Sequence, residues 1–90
     1  MAEICQQVFV SGKVQGVWFR QSTKEQALKQ GVTGYAKNLS DGRVEVLLCG
    51  EETAVAKVQR WLHDGPELAR VDCVVTEQFE ARNMEGFLTG

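Results

Sequence analysis

Histidine is nearly missing from this chain. His63 is the only one, and the three cysteines, Cys5, Cys49 and Cys73, are an odd number set far apart with none of the paired spacings of a zinc site. These shortages exclude a structural metal. Long apolar runs are lacking too: none approaches the roughly 18 to 20 residues that span a bilayer. Met1-Ala2-Glu3-Ile4-Cys5 has neither the basic nor the apolar region of a signal peptide, so the expectation is a cytoplasmic protein with no membrane partner. There is no basic excess. A net charge of -2 gives no general attraction to nucleic acid or anionic lipid, so any anion must be gripped locally. No repeat, linker or low-complexity stretch divides the 90 residues, which are enough for one core and one domain over 1–90.

What is present reads as alternating strands and helices. Residues 4 to 11 are β-branched and apolar in rough alternation, with Ile4, Val8 and Val10 on one side, and form a first strand that Gly12 and Gly16 break. From Arg20 to Gln30 the chain is rich in Gln, Lys, Glu and Ala, with Thr23, Ala27 and Leu28 at helical spacing, and Gly31 stops the helix. Val32 to Leu39 is a second strand, Ser40-Asp41-Gly42 a turn, and Arg43 to Cys49 an antiparallel return. In that return Val44, Val46 and Leu48 alternate with Arg43, Glu45 and Leu47, which predicts one buried face. Glu51, Glu52 and Thr53 suit the positive end of a second helix, whose apolar stripe is Val55, Val58 and Leu62 beside Trp61, closed by Gly65-Pro66. Val71 to Phe79 is a fourth strand, and a polar connection from Glu80 to Glu85 leads to a short terminal strand around Phe87 and Leu88. The order is that of a ferredoxin-like α+β sandwich, βαββαβ plus a short terminal strand: an antiparallel sheet with two helices on one face.

Two segments carry chemistry. Gly16 lies between a strand and the first turn of a helix, where backbone N–H groups lack intrahelical partners and the dipole favours negative charge. With positive φ at Gly16, the N–H groups from Gln15 through Arg20 can curl around an oxyanion. Arg20 adds a permanent charge and a planar fork of donors matched to two phosphate oxygens. Asn38 ends the strand reached by the crossover through the first helix, on the same edge of the domain. Its amide both donates and accepts, as positioning a water molecule requires, whereas a carboxylate there would repel an anionic substrate.

The chain resembles the acylphosphatase family over nearly its whole length. The family pattern G-x-V-Q-G-V-x-F-R stands here as Gly12 to Arg20, and G-Y-A-K-N followed by x-x-x-G-x-V stands as Gly34 to Asn38 with Gly42 and Val44. The resemblance implies a single acylphosphatase-like domain that hydrolyses the carboxyl–phosphate bond of acyl phosphates without metal or cofactor. By position, Arg20 and the amides of Gln15, Gly16, Val17, Trp18 and Phe19 would bind the phosphate, and Asn38 would orient the attacking water. The expected partners are then a small-molecule acyl phosphate, with phosphate or sulfate as inhibitors, and the protein is expected to be a monomer.

Other residues have plainer readings. Phe19 is expected in the core beneath the first helix, Cys73 in the core and His63 on the polar side of the second helix, while Trp18, at the variable position of the family pattern, either shapes the acyl-binding side or, the favoured reading, covers apolar surface. Lys13 and Lys37 near the turns read as solubilising charges. In the ferredoxin-like strand order the first and third strands are antiparallel neighbours, and pairing Val8 with Val46 sets Cys5 opposite Cys49. Opposed residues lie about 4.5 to 5.5 Å apart at Cα, which a disulfide can bridge. A reducing cytoplasm stands against that bond, so bonded and free thiols both stay open. The fold also hosts RNA-binding modules, but Arg43, Glu45 and Leu47 on the open side of the third strand supply no stacking aromatics. A phosphate-binding module without turnover is the other alternative, against which stands the presence of both Arg20 and Asn38.

Overall fold

The computed structural model describes residues 3–16, 18–79 and 86–89. Its elements are β1 (Glu3–Lys13), α1 (Phe19–Gln30), β2 (Thr33–Asn38), β3 (Val44–Glu51), α2 (Glu52–Leu62), β4 (Arg70–Phe79) and β5 (Phe87–Thr89). The strands form one sheet in the order β4-β1-β3-β2-β5. The first three pairings are antiparallel, and β5 adds to β2 in parallel, so the sheet is mixed rather than wholly antiparallel. The polar connection expected from Glu80 to Glu85 lies outside the described residues.

Both helices lie on one face, and the core sits between. Val8, Val10, Ala36, Val44, Val46, Leu48 and Phe87 rise from the sheet to meet Phe19 and Ala27 of α1 and Val55, Val58 and Leu62 of α2. Each fully buried Val or Leu contributes about 1.5–3 kcal/mol relative to exposure, so this face supplies most of the driving force. The α2 stripe is as its spacing predicts. The α1 stripe is narrower: Phe19, Thr23 and Ala27 are buried, while Leu28 is 52% exposed. One residue past Ala27 is a rotation of about 100°, which carries Leu28 off the contact line. The buried Thr23 hydroxyl donates to the Phe19 carbonyl at 2.7 Å, so it leaves no unsatisfied group.

Among the described residues no helix lies on the opposite face, yet β3 is buried there too, contrary to the expectation of a single buried face. Leu47 is 0% exposed and packs with Cys5, Cys49 and Tyr35. Since β3 runs between β1 and β2, side chains from both neighbours lie over it. Glu45 is the hub of this cover: its carboxylate accepts from the Tyr35 hydroxyl and from Gln7 Nε2 at 3.2 Å, with Lys37 Nζ at 4.0 Å. The β1–β3 register pairs Val8 with Val46 and Cys5 with Cys49, whose Cα atoms are 4.1 Å apart and whose sulfurs are joined.

Two further departures follow from strand position. β1 does not break at Gly12 but continues to Lys13 through a bulge against β4, where a Cβ on Gly12 would lie 2.2 Å from the Arg70 carbonyl oxygen. Cys73 is exposed rather than in the core, because β4 is an edge strand and the pairing of Cys73 with Ser11 sets it on the side away from the helices.

Candidate active site

The segment joining β1 to α1 is built from backbone conformations that ordinary turns avoid. Gly16 has φ 75°, the left-handed value its missing side chain permits, and a Cβ there would meet nothing within 4 Å, so the requirement is conformational rather than steric. Trp18 has φ 62° as well and is the one non-glycine residue with positive φ among those described. A left-handed conformation costs a bulky residue roughly 1–2 kcal/mol. Val17, between them, lies outside the described residues.

Trp18 stands at the N-cap of α1, a position that usually holds Ser, Thr, Asp or Asn. Trp18 makes no side-chain capping bond, and the first turn of the helix carries no acidic residue. The first intrahelical bond runs from the Ser22 N–H to the Trp18 carbonyl at 2.8 Å, so the N–H groups of the opening turn face the loop. The resulting partial positive charge is joined there by the guanidinium of Arg20. A cleft of about 400 Å³ opens at this point, lined by Val14, Gly16, Trp18, Phe19, Arg20, Gln21 and Thr89.

The expected site residues are placed unevenly around it. Gly16, Trp18, Phe19 and Arg20 share the cleft wall. The Phe19 ring is in the core, 6.0 Å from the Trp61 ring centroid, so only its backbone is offered to the loop. Trp18 is 75% exposed, which corrects the expectation of a cover residue. Asn38 is exposed at the end of β2 and is not among the cleft-lining residues. Strand alternation puts it on the same face as buried Ala36, the face that carries α1.

Gln15 connects these two parts. Its side-chain amide donates to the Leu39 carbonyl at 2.8 Å and to the Arg43 carbonyl at 3.0 Å, tying the loop to the turn that follows Asn38. The turn is itself braced. The Leu39 N–H donates to the Arg43 carbonyl at 2.8 Å, the Gly42 N–H to Leu39 at 3.1 Å, and the Arg43 guanidinium to Asp41 at 2.7 Å. The Asp41 carboxylate also accepts the Arg43 backbone N–H at 3.1 Å, and these bonds hold its pKa below the ordinary carboxylate range. Sequence reading gave Gln15 only a backbone role, and no local signal announces a tether across 24 and 28 residues. Thr89, brought to the cleft by the parallel pairing of β5 with β2, was missed for the same reason.

Comparison with known proteins places the chain's sequence and fold among those of one family. The acylphosphatase family model matches residues 6–89. The chain is 59% identical over 80 residues, 89% of each chain, to the acylphosphatase of Chromohalobacter salexigens. It is 50% identical over 88 residues, 98% of this chain and 97% of the relative, to that of Pseudomonas paraeruginosa. The solved acylphosphatase structure from Coxiella burnetii superposes with a TM-score of 0.93 at 41% identity, covering 98% of this chain and 93% of that one. With the family model matched over nearly the whole chain and relatives of this identity and fold, the chain belongs to the acylphosphatase family of hydrolases acting on acid anhydrides.

Proposed function

We propose that this protein hydrolyses the carboxyl–phosphate bond of acyl phosphates, holding the phosphoryl group on the amides of residues 15 to 20 and the Arg20 guanidinium while Asn38 orients the attacking water. The observation that carries the reading is the uncapped, acid-free N-terminus of α1 opening into the cleft that Arg20 lines. Amides that end a helix and a guanidinium fork are both suited to phosphate oxygens, and they supply fixed positive potential without reorganising during the reaction.

The chemistry asks for little more. A carboxylate is a good leaving group, and a loose phosphoryl-transfer transition state needs positioning and charge stabilisation more than a strong base. The bond from water oxygen to phosphorus forms as the bond from phosphorus to the acyl oxygen breaks. The electron pair leaves with the carboxylate, and a phosphate oxygen of the substrate takes the water proton. Asn38 can hold that water by accepting one of its hydrogens or donating to its oxygen. The Gln15 tether then sets the distance between the phosphate loop and the hairpin that ends in Asn38.

No cofactor enters this scheme. Phosphate and sulfate, which share the shape and charge of the transferred group, should compete with substrate. The working form is a monomer of one domain over 1–90 in the cytoplasm. The Cys5–Cys49 bond is compatible with that location because its residues are 2% and 4% exposed, which shields the sulfurs from reductants.

The test is turnover of benzoyl phosphate in chelated, metal-free buffer enriched in oxygen-18 water. Hydrolysis with the label in inorganic phosphate is expected. Absence of turnover would overturn the function, and label in benzoate would move the attack to the carbonyl carbon and remove the role given to Asn38.

A further inference from the structure

Arg20 and the backbone amides account for one end of the cleft, and the remaining wall shows what the other end can hold. Val14 and Phe19 are 1% exposed and form the floor, so their side chains offer a substrate almost no surface. Gln21 and Thr89 are polar. Among the described residues that line the cleft, the one large exposed apolar surface is the indole of Trp18, 75% exposed. Two features make it unusual. The ring is held at a left-handed N-cap where Asn or Gly would sit with less strain, and at 75% exposure it gains little burial to offset that strain. A strained residue at a site that gains little in packing points to a role in binding.

We infer that the Trp18 ring is a platform for the acyl group and makes the protein favour acyl phosphates with aromatic or bulky apolar acyl groups over acetyl phosphate. The inference rests on the phosphate cradle described above, because the phosphoryl group at Arg20 directs the acyl group toward the open side of the cleft. An aromatic acyl group stacked on the indole gains contact that an acetyl group is too small to make. Trp18 is thus a specificity-determining residue through its ring, separate from any role of its amide.

The experiment compares kcat/KM for benzoyl phosphate and acetyl phosphate in wild type, Trp18→Asn and Trp18→Phe. Asn accepts the left-handed backbone, and the ratio of the two substrates cancels any effect on the shared phosphoryl step. The benzoyl-to-acetyl ratio should fall about threefold to tenfold in Trp18→Asn and stay within about twofold in Trp18→Phe, as expected for a lost aromatic contact. An unchanged ratio in Trp18→Asn would overturn the platform. A second measurement needs no variant. In wild type, one of the two indole N–H resonances, that of Trp18, should shift on adding benzoylphosphonate and move far less with inorganic phosphate. Equal shifts with both would overturn it as well. Failure of the cradle itself has a different signature: wild type turns over neither substrate, and both proposals fall together.

Discussion

The two ends of β1 are built on opposite plans. At the Cys5 end the strand is paired without interruption from Glu3 opposite Glu51 to Val10 opposite Val44, and a covalent bond to Cys49 closes it. At the Lys13 end the ladder bulges at Gly12, the chain passes through two left-handed residues, and an uncapped helix begins beside a cleft. Two hydrogen bonds of the Gln15 side chain connect that loop to the hairpin bearing Asn38. The difference teaches that stability and chemistry are separated along one strand. The covalent lock sits where no chemistry is proposed, and the strained, polar backbone sits where an anion can repay it.

That contrast can be broken from either end. The largest effect is expected from Arg20→Gln, which should lower kcat/KM for benzoyl phosphate by about a thousandfold, in line with losing a principal transition-state donor, while leaving the urea midpoint near wild type. Arg20→Lys should fall nearly as far, because an ammonium cannot reproduce the planar fork. A matching loss of stability in either variant would show that the two ends are not separate. Conversely, Cys5→Ala/Cys49→Ala should reduce unfolding free energy by about 3–4 kcal/mol in the chain-entropy treatment of a loop spanning 44 residues. Its kcat at temperatures where it is folded should remain within about twofold of wild type, as measured by urea denaturation and steady-state kinetics. A collapse of kcat in the folded protein would couple the disulfide to the site.

How far these ends were legible in the sequence depends on how local their causes are. The strand order, both helices, the Val55–Val58–Leu62 stripe and the Val8–Val46 register follow from periodicity and from the topology it selects. The burial of Glu45 and Leu47 does not, because it depends on Tyr35 and Gln7 lying over β3 from two other strands. Gly16 and Arg20 could be read as a cradle because helix-end physics is local. The exposure of Trp18 could not, since a bulky apolar residue next to Phe19 gives no sign of which one turns outward. Cys73 is exposed because its pairing with Ser11 sets it on the helix-free side of β4, a register that alternation within β4 alone does not reveal.

Smaller effects sharpen the middle of the comparison, where the loop meets the hairpin. Gln15→Ala removes two hydrogen bonds and should cost about 1–3 kcal/mol of stability. Its kcat should fall by more than its affinity for phosphate, because the hairpin carrying Asn38 is released while the backbone amides stay. A loss confined to phosphate affinity would contradict the tether. The smallest effect concerns Asp41, whose pKa is lowered by the Arg43 backbone N–H and guanidinium. A depressed folded-state pKa adds stability above the unfolded value, near pH 4, and loses it as pH falls through the lower folded value. Wild type should therefore be slightly more stable than Asp41→Asn at pH 7, with the gap between the two denaturation midpoints narrowing as pH falls below about 4. A gap that does not narrow with acidification would assign the difference to something other than this carboxylate.

The most direct measurement of the central claim is kcat for benzoyl phosphate together with the inhibition constant of inorganic phosphate, in wild type and Asn38→Ala, in chelated buffer. The division of labour between loop and hairpin predicts a kcat lowered by about a hundredfold to a thousandfold, with phosphate inhibition changed by no more than about threefold. A kcat near wild type, or a loss of phosphate inhibition as large as the loss of kcat, would contradict it.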